Sequence, residues 1–99
     1  MSIYENEYEI TGRIDQIMPE DSNGQYFNRT IVLQTNSQGR TQNIKVTFSE
    51  SLRDRGTLLY QVERYNQGDQ VHVTFTVQGN YLKNSDKLWV SLKGIAITD

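Results

Sequence analysis

Three aromatic and six basic residues carry the chemistry open to this sequence. Trp89, Tyr26 and Tyr81 offer flat rings, and Arg29, Lys45, Lys83, Lys87 and Lys93, with Arg40 beside them, offer positive charge. Rings on which bases stack and cations that follow phosphates are the two parts of a groove for single-stranded nucleic acid, each stacked base contributing about 1–3 kcal/mol. Each residue alone has a plainer reading. Lysines and arginines on strands and loops are mostly just solvated. Trp89, on the outward parity of a strand, is equally explained as the cover of a barrel seam or a dimer contact, because tryptophan is enriched at interfaces of every kind. Phe27 is set aside because its parity is shared with core residues.

Nothing in the sequence assembles a catalytic site. His72 is the only histidine and there is no cysteine, so a zinc site has no set of ligands. Nucleophile motifs, phosphate-binding glycine loops and metalloprotease helices are missing. Glu50 and Asp54 fit the start of a helix better than general acid/base work. The expectation is a protein that is not an enzyme and takes no cofactor or metal.

A chain of 99 residues fits one domain, 1–99, since a core of this size does not survive division. The formal net charge is −2, which argues against a nucleic-acid partner until its distribution is seen. Residues 1–25 hold six acidic side chains against Arg13 alone, whereas residues 26–99 hold nine basic and six acidic ones. A positive face on an acidic protein follows. No apolar run approaches the roughly 18 residues of a membrane span, and no basic-then-apolar leader follows Met1. A cytoplasmic protein is expected.

The elements that must position these residues are strands. Val71, Val73, Phe75 and Val77 alternate with polar residues at the two-residue period of a half-buried strand, bounded by Gly68-Asp69 and Gly79-Asn80 as turns. Residues 1–7 form a loose lead-in. From Tyr8, Ile10, Gly12 and Ile14 share one side, and a parity slip then returns Ile17 inward. Such a slip beside a glycine predicts a bulge or bend that lets one long strand serve two sheets. Residues 19–24 compose a loop. Tyr26 to Thr35 is a second strand with Ile31 and Leu33 inward, and a hairpin at 36–40 leads to a third, Gln42 to Phe48, with Ile44, Val46 and Phe48 inward.

Ser49 to Asp54 has the look of a helix start. Leu58, Leu59, Val62 and Tyr65 then have helical spacing and form an apolar stripe for the open end of a barrel. After the strand at 70–78, a polar loop over 81–87 carries Tyr81. Leu88 to Ile97 is the fifth strand, with Leu88, Val90 and Leu92 inward.

The order is strand, strand, strand, helix, strand, strand, which is all-β with one short helix between strands three and four. It is that of the five-stranded Greek-key barrel of the oligonucleotide/oligosaccharide-binding (OB) fold. An SH3-like barrel, which lacks the helix, is the nearest rival. Ile10-Thr11-Gly12-Arg13-Ile14, Thr30 to Thr35, Gly68-Asp69-x-Val71-x-Val73 and Ser91-Leu92-Lys93-Gly94-Ile95 together resemble the bacterial and phage single-stranded DNA-binding proteins, and above all their small OB-fold relatives. The resemblance covers about residues 8–97 and rests mostly on core and turn positions. It implies a barrel that coats single strands in replication or recombination. The family's long tail with an acidic, aromatic tip has no counterpart after Thr98-Asp99, which puts recruitment of enzymes by that route in doubt and points to a tail-less relative.

The leading expectation is therefore a binding protein for single-stranded DNA, with RNA left open, working as a homo-oligomer with a dimer favoured. The rival is the same barrel as a protein-interaction module, using Trp89, Tyr60 and exposed strand edges. The acidic first quarter favours the rival, and the interleaved aromatic and basic residues favour the first.

Overall fold

The computed structural model describes residues 6–22, 24–51, 57–81 and 83–99. Along the chain lie β1 (Glu7–Ile17), β2 (Asp21–Ser22), β3 (Tyr26–Ser37), β4 (Arg40–Ser51), α1 (Leu58–Glu63), β5 (Gln70–Tyr81) and β6 (Leu88–Thr98). β2 is a two-residue segment paired with Asn28 and Phe27, so the stretch expected as plain loop contains a small ladder. The other five strands have the expected order, with the helix after the third of them. Of the lead-in expected over 1–7, residues 1–5 lie outside the described residues, and Glu7 already belongs to β1.

Strand neighbours run β1-β5-β6-β4-β3, and β3 returns to β1, which closes a five-stranded barrel as expected for the OB fold. The β4–β6 contact is parallel and consists of two rungs, Thr47 with Lys93 and Phe48 with Gly94. β1 does serve two neighbours. Residues Glu7 to Arg13 pair with β5 and Arg13 to Ile17 with β3, and the register slips between Ile14 and Gln16. The bulged residue is thus Asp15, where the parity slip after Ile14 predicts a bulge. Gly12 has a different duty: a Cβ there would sit 2.9 Å from Thr35 Cγ2 and 3.0 Å from the Gln34 carbonyl oxygen, so its bare backbone lets β1 and β3 meet.

The interior holds Ile14, Ile31, Leu33, Val46, Phe48, Val71, Val73, Phe75 and Ile97 from the strands. Leu59 and Val62 of α1 are buried with them, and Leu58 and Tyr65 pack alongside, so the helix lays its apolar stripe on the core as its spacing predicts. Gly68, at φ 96°, turns the chain back into β5. Its N–H donates to the Ile14 carbonyl and the Ile14 N–H donates to the Asp69 carbonyl, both at 2.8 Å.

The second half of β5 departs from expectation. Gly79 and Asn80, expected as a turn, continue the strand, because each has a ladder partner: Gly79 faces Val90, Asn80 faces Trp89 and Tyr81 faces Leu88. Tyr81 is therefore a strand residue and not a loop residue. Leu88 and Val90, expected inward, are exposed, and so is Val77. Their parity is that of the core, but among the described residues β1 pairs with β5 only as far as Thr76, and none of the described strands encloses them beyond that height.

The helix expected to start at Ser49 does not. Ser49, Glu50 and Ser51 end β4, and residues 52–56, with Asp54, lie outside the described residues. Glu50 nevertheless serves the helix. Its side chain is buried and accepts the backbone N–H groups of Thr57 (3.2 Å), Leu58 and Leu59 (3.4 Å), as well as the Thr57 hydroxyl. These are the amides that a helix start leaves without partners, and an acid suits that end of the dipole, here from a neighbouring strand.

Two substitutions check this packing by thermal melting. In Gly94→Ala the new methyl would lie 2.3–2.5 Å from three ring atoms of Phe48, so ring or strand must shift, with an expected loss of about 1–3 kcal/mol or more. An unchanged melting temperature contradicts the placement of Phe48. Glu50→Ala strands buried donors and is expected to lose about 1–3 kcal/mol, with Glu50→Gln losing less because one acceptor oxygen stays.

Candidate nucleic-acid interface

Paired residues of neighbouring strands share a face, and alternate residues share it along each strand. On the outward side of β3 and β4 this places Tyr26 with Ser51, Asn28 with Ser49, Thr30 with Thr47, Val32 with Lys45, and Gln34 with Asn43. Side chains tie these rows together. The Ser49 hydroxyl donates to Asn28 Oδ1 at 2.6 Å, and the Thr30 and Thr47 hydroxyls share a hydrogen bond of 3.0 Å. The parallel rung Thr47–Lys93 carries the same face onto β6, and the rung Lys93–Thr76 carries it onto β5. Further back along β6, Ser91 and then Trp89 share this parity, Trp89 lying about 13 Å from Lys93 at the usual strand rise.

Four of the expected residues, Tyr26, Lys45, Lys93 and Trp89, thus come onto one outer surface. Both rings and both ammonium groups are exposed, Trp89 at 41%. The hydroxyl and amide residues between them, Asn28, Thr30, Thr47 and Ser49, were not singled out by the sequence. Their alternation is visible there, but nothing local says that β4 lies beside β6.

The remaining candidates lie elsewhere. Tyr81 is exposed and pairs with Leu88, next to the rung that holds Trp89, so its ring takes the opposite side of the ladder. Lys83 and Lys87 are exposed at the β5–β6 turn, where Asn84 has φ 59° and the Lys87 N–H donates to Ser85 Oγ at 3.0 Å. Arg29 has the inward parity, opposite Phe48. It is half-buried, and its Nε is enclosed without a hydrogen-bond partner among the described residues. Arg40 is exposed at the β3–β4 hairpin, remote from Trp89's strand pair. Phe27 packs against the core.

The outer side of β1 has the opposite character. Glu7 and Glu9 pair with Thr76 and Thr74, and Thr11 with His72. His72 joins this side: Nδ1 shares a 2.9 Å hydrogen bond with the Thr11 hydroxyl, and Nε2 is 3.5 Å from the Glu9 carboxylate. Two polar clefts of about 200 and 180 Å³ flank Arg13 and Gln34 at the β1–β3 seam, and none of the expected binding residues lines them. Among the described residues no group of three acidic or histidine side chains is placed to hold a metal ion, and no helix is long and apolar enough to cross a membrane. The outer face of β3, β4 and β6 is equipped to stack flat rings and to attract anions.

No protein-family model matches the sequence, and no curated protein matches it. Solved structures do resemble it. A mitochondrial single-stranded DNA-binding protein from S. cerevisiae aligns over 94% of this chain and 92% of its own, with a TM-score of 0.72 and 17% identity. The SSB domain of a Synechococcus sp. protein aligns over 100% of both chains, with a TM-score of 0.65 and 13% identity. The SSB of Plasmodium falciparum, solved in complex with single-stranded DNA, aligns over 94% of this chain and 89% of its own, with a TM-score of 0.58 and 15% identity. At these identities the likeness is one of fold: this chain has the barrel that those single-stranded DNA-binding proteins have.

Proposed function

We propose that this chain is a non-enzymatic protein that binds single-stranded DNA with little sequence preference, stacking bases on Trp89 and Tyr26 and holding phosphates with Lys45 and Lys93. The observation that carries the reading is the convergence of these four residues, from three strands, on one outer face. The names of the structural neighbours support it, one of them having been solved with single-stranded DNA. Stacking accepts any base, which explains the lack of preference. Glu7 and Glu9 repel phosphates from the β1 side, so the strand is directed across β6, β4 and β3. Lys83 and Lys87 lengthen the positive track beyond Trp89, Tyr81 adds a ring on the other side of the ladder, and Arg29 adds charge at the mouth of the barrel. The work assigned to this face is the coating of strands exposed in replication or recombination of bacterial or phage DNA, in the cytoplasm, by an oligomer of identical chains. The exposed apolar residues of the β5–β6 hairpin favour a second reading, a protein-interaction module without nucleic-acid binding.

Trp89 is the only tryptophan, so its fluorescence reports binding without a label. Oligo-dT is expected to quench it at low salt, and duplex DNA is not; an oligo-rU competitor separates DNA from RNA. Trp89→Ala is expected to lower affinity by about 1–3 kcal/mol with little change in melting temperature. Absence of quenching by any single strand at low salt removes the proposal and leaves the second reading.

The salt dependence gives an independent check. A net-acidic chain with a few lysines in reach is expected to show a log-log slope of roughly two to four, and Lys45→Ala and Lys93→Ala are each expected to lower it by about 0.7, the share of one phosphate. A slope that both substitutions leave alone takes these lysines out of the track.

A further inference from the structure

β1 changes neighbours at Arg13. Residues before it pair with β5 and residues after it with β3, while β3 itself runs on past Gln34 into its hairpin with β4. Between the parting strands lies a cleft of about 180 Å³, well above the roughly 30 Å³ that one water occupies in the liquid. Gly12 lines it, and its missing Cβ is what lets Gln34 and Thr35 come close. Arg13 stands beside it, opposite Gln34 of β3 and Gln70 of β5.

Among the described residues Arg13 is the one charged side chain lining this cleft, and it makes no ion pair. The groups around it are donors or can become donors. Asn36 Oδ1 accepts the Thr41 hydroxyl at 3.1 Å, which leaves the side-chain NH₂ to donate, and the amides of Gln34 and Gln70 can each present theirs. Donors gathered about a guanidinium suit a phosphate, whose oxygens only accept and match the planar fork of arginine with two parallel bonds. The neighbouring cleft of about 200 Å³ shares Arg13 and Gln34 but adds Asp15, whose carboxylate repels an anion there. Glu9 lies about 13 Å from Arg13 at the usual strand rise, with its carboxylate 3.5 Å from His72.

We infer that this cleft is a phosphate site, held by the guanidinium of Arg13 and the side-chain amide of Asn36, and that the phosphate it takes is one of the single strand's own. The chemistry rests on the cleft alone, and the source of the phosphate rests on the DNA reading above. Continuity of the outer face connects the two. Gln34 follows Val32 on the outward side of β3, and Val32 pairs with Lys45, so Arg13 and Lys45 flank β3 on the same surface, about 12 Å apart by strand spacing and rise. A strand that crosses β6, β4 and β3 past Lys93 and Lys45 reaches the cleft next. Arg13 is the only basic residue among the first 25, where six side chains are acidic, and the fold places that one cation at the end of the track.

Two variants of the full chain test this. Arg13→Gln removes the charge, and Asn36→Asp keeps an acceptor for Thr41 while setting a carboxylate in the cleft. Both positions are exposed, so both variants are expected to melt with the wild type. Their affinity for end-labelled oligo-dT, read by anisotropy at low salt, is expected to fall about threefold or more, with the log-log salt slope of Arg13→Gln lower by about 0.7, the share of one phosphate. Quenching of Trp89 at saturation is expected to stay as in the wild type, because that ring lies on β6. Folded variants that keep the wild-type affinity and slope overturn the inference and leave the DNA reading standing. A titration with inorganic phosphate, against sodium chloride at equal ionic strength, separates a strand from a free phosphate and is read from the amide shifts of Gly12, Gln34 and Asn36. If no single strand binds at low salt, the DNA reading falls. Shifts that phosphate causes in the wild type and not in Arg13→Gln then keep the cleft as a site for a small phosphorylated ligand, and their absence then removes the cleft as well.

Discussion

The barrel closes on the contact between Phe48 and Gly94. β4 and β6 meet over two rungs only, and the ring of Phe48, fully buried, occupies the space that a side chain at position 94 would need. Dense interiors allow no slack at such a point. The same two rungs organise the outside, because Thr47 and Lys93 sit next to Phe48 and Gly94 with their parity reversed. The step that shuts the core is also the step that places Lys93 beside the hydroxyl rows of β3 and β4. Core closure and the assembly of the outer face are thus one event.

Much of the fold was legible in the sequence. Val71, Val73 and Phe75 announce a strand by period alone, and the parity slip after Ile14 announces a strand that changes neighbours. What was hidden depends on pairing at a distance. Gly79 and Asn80 are turn formers by propensity, yet the β6 ladder overrides propensity, as neighbouring strands commonly do. Leu88 and Val90 have the parity of the core, but parity does not say how tall the barrel is. Glu50 is legible as an acid suited to a helix start, but it serves that start from the end of β4, a placement that helix signals in the sequence do not carry. For the candidate site, the outward parity of Trp89, Lys45 and Tyr26 was legible strand by strand. Their meeting was not, since it depends on the parallel β4–β6 contact, for which no short-range signal exists.

The charge distribution acquires a spatial meaning in the folded chain. The acids of the first quarter do not spread evenly: Glu7 and Glu9 line the outside of β1, where Glu9 approaches His72, while Lys45 and Lys93 lie on β4 and β6. Asp21, paired with Asn28, and Arg13, on the parity of Glu9, temper the contrast, but a net charge of −2 still says less than the local placement of these groups, which governs which polyanion approaches which side.

Glu50 has a further consequence for the order in which the structure forms. α1 has six residues, far below the dozen or so at which a helix persists by itself, so its first turn depends on acceptors carried by β4. Those acceptors are in place only once β4 has its final position, which makes the helix a late arrival in folding. In reverse, it is the part whose release leaves the strand ladders intact, uncovering Leu59 and Val62 and the end of the core beneath them. Breathing of the native protein should therefore begin at this end of the barrel, with the amides of Thr57, Leu58 and Leu59 trading their hydrogens for those of solvent well before the amides of β5 do.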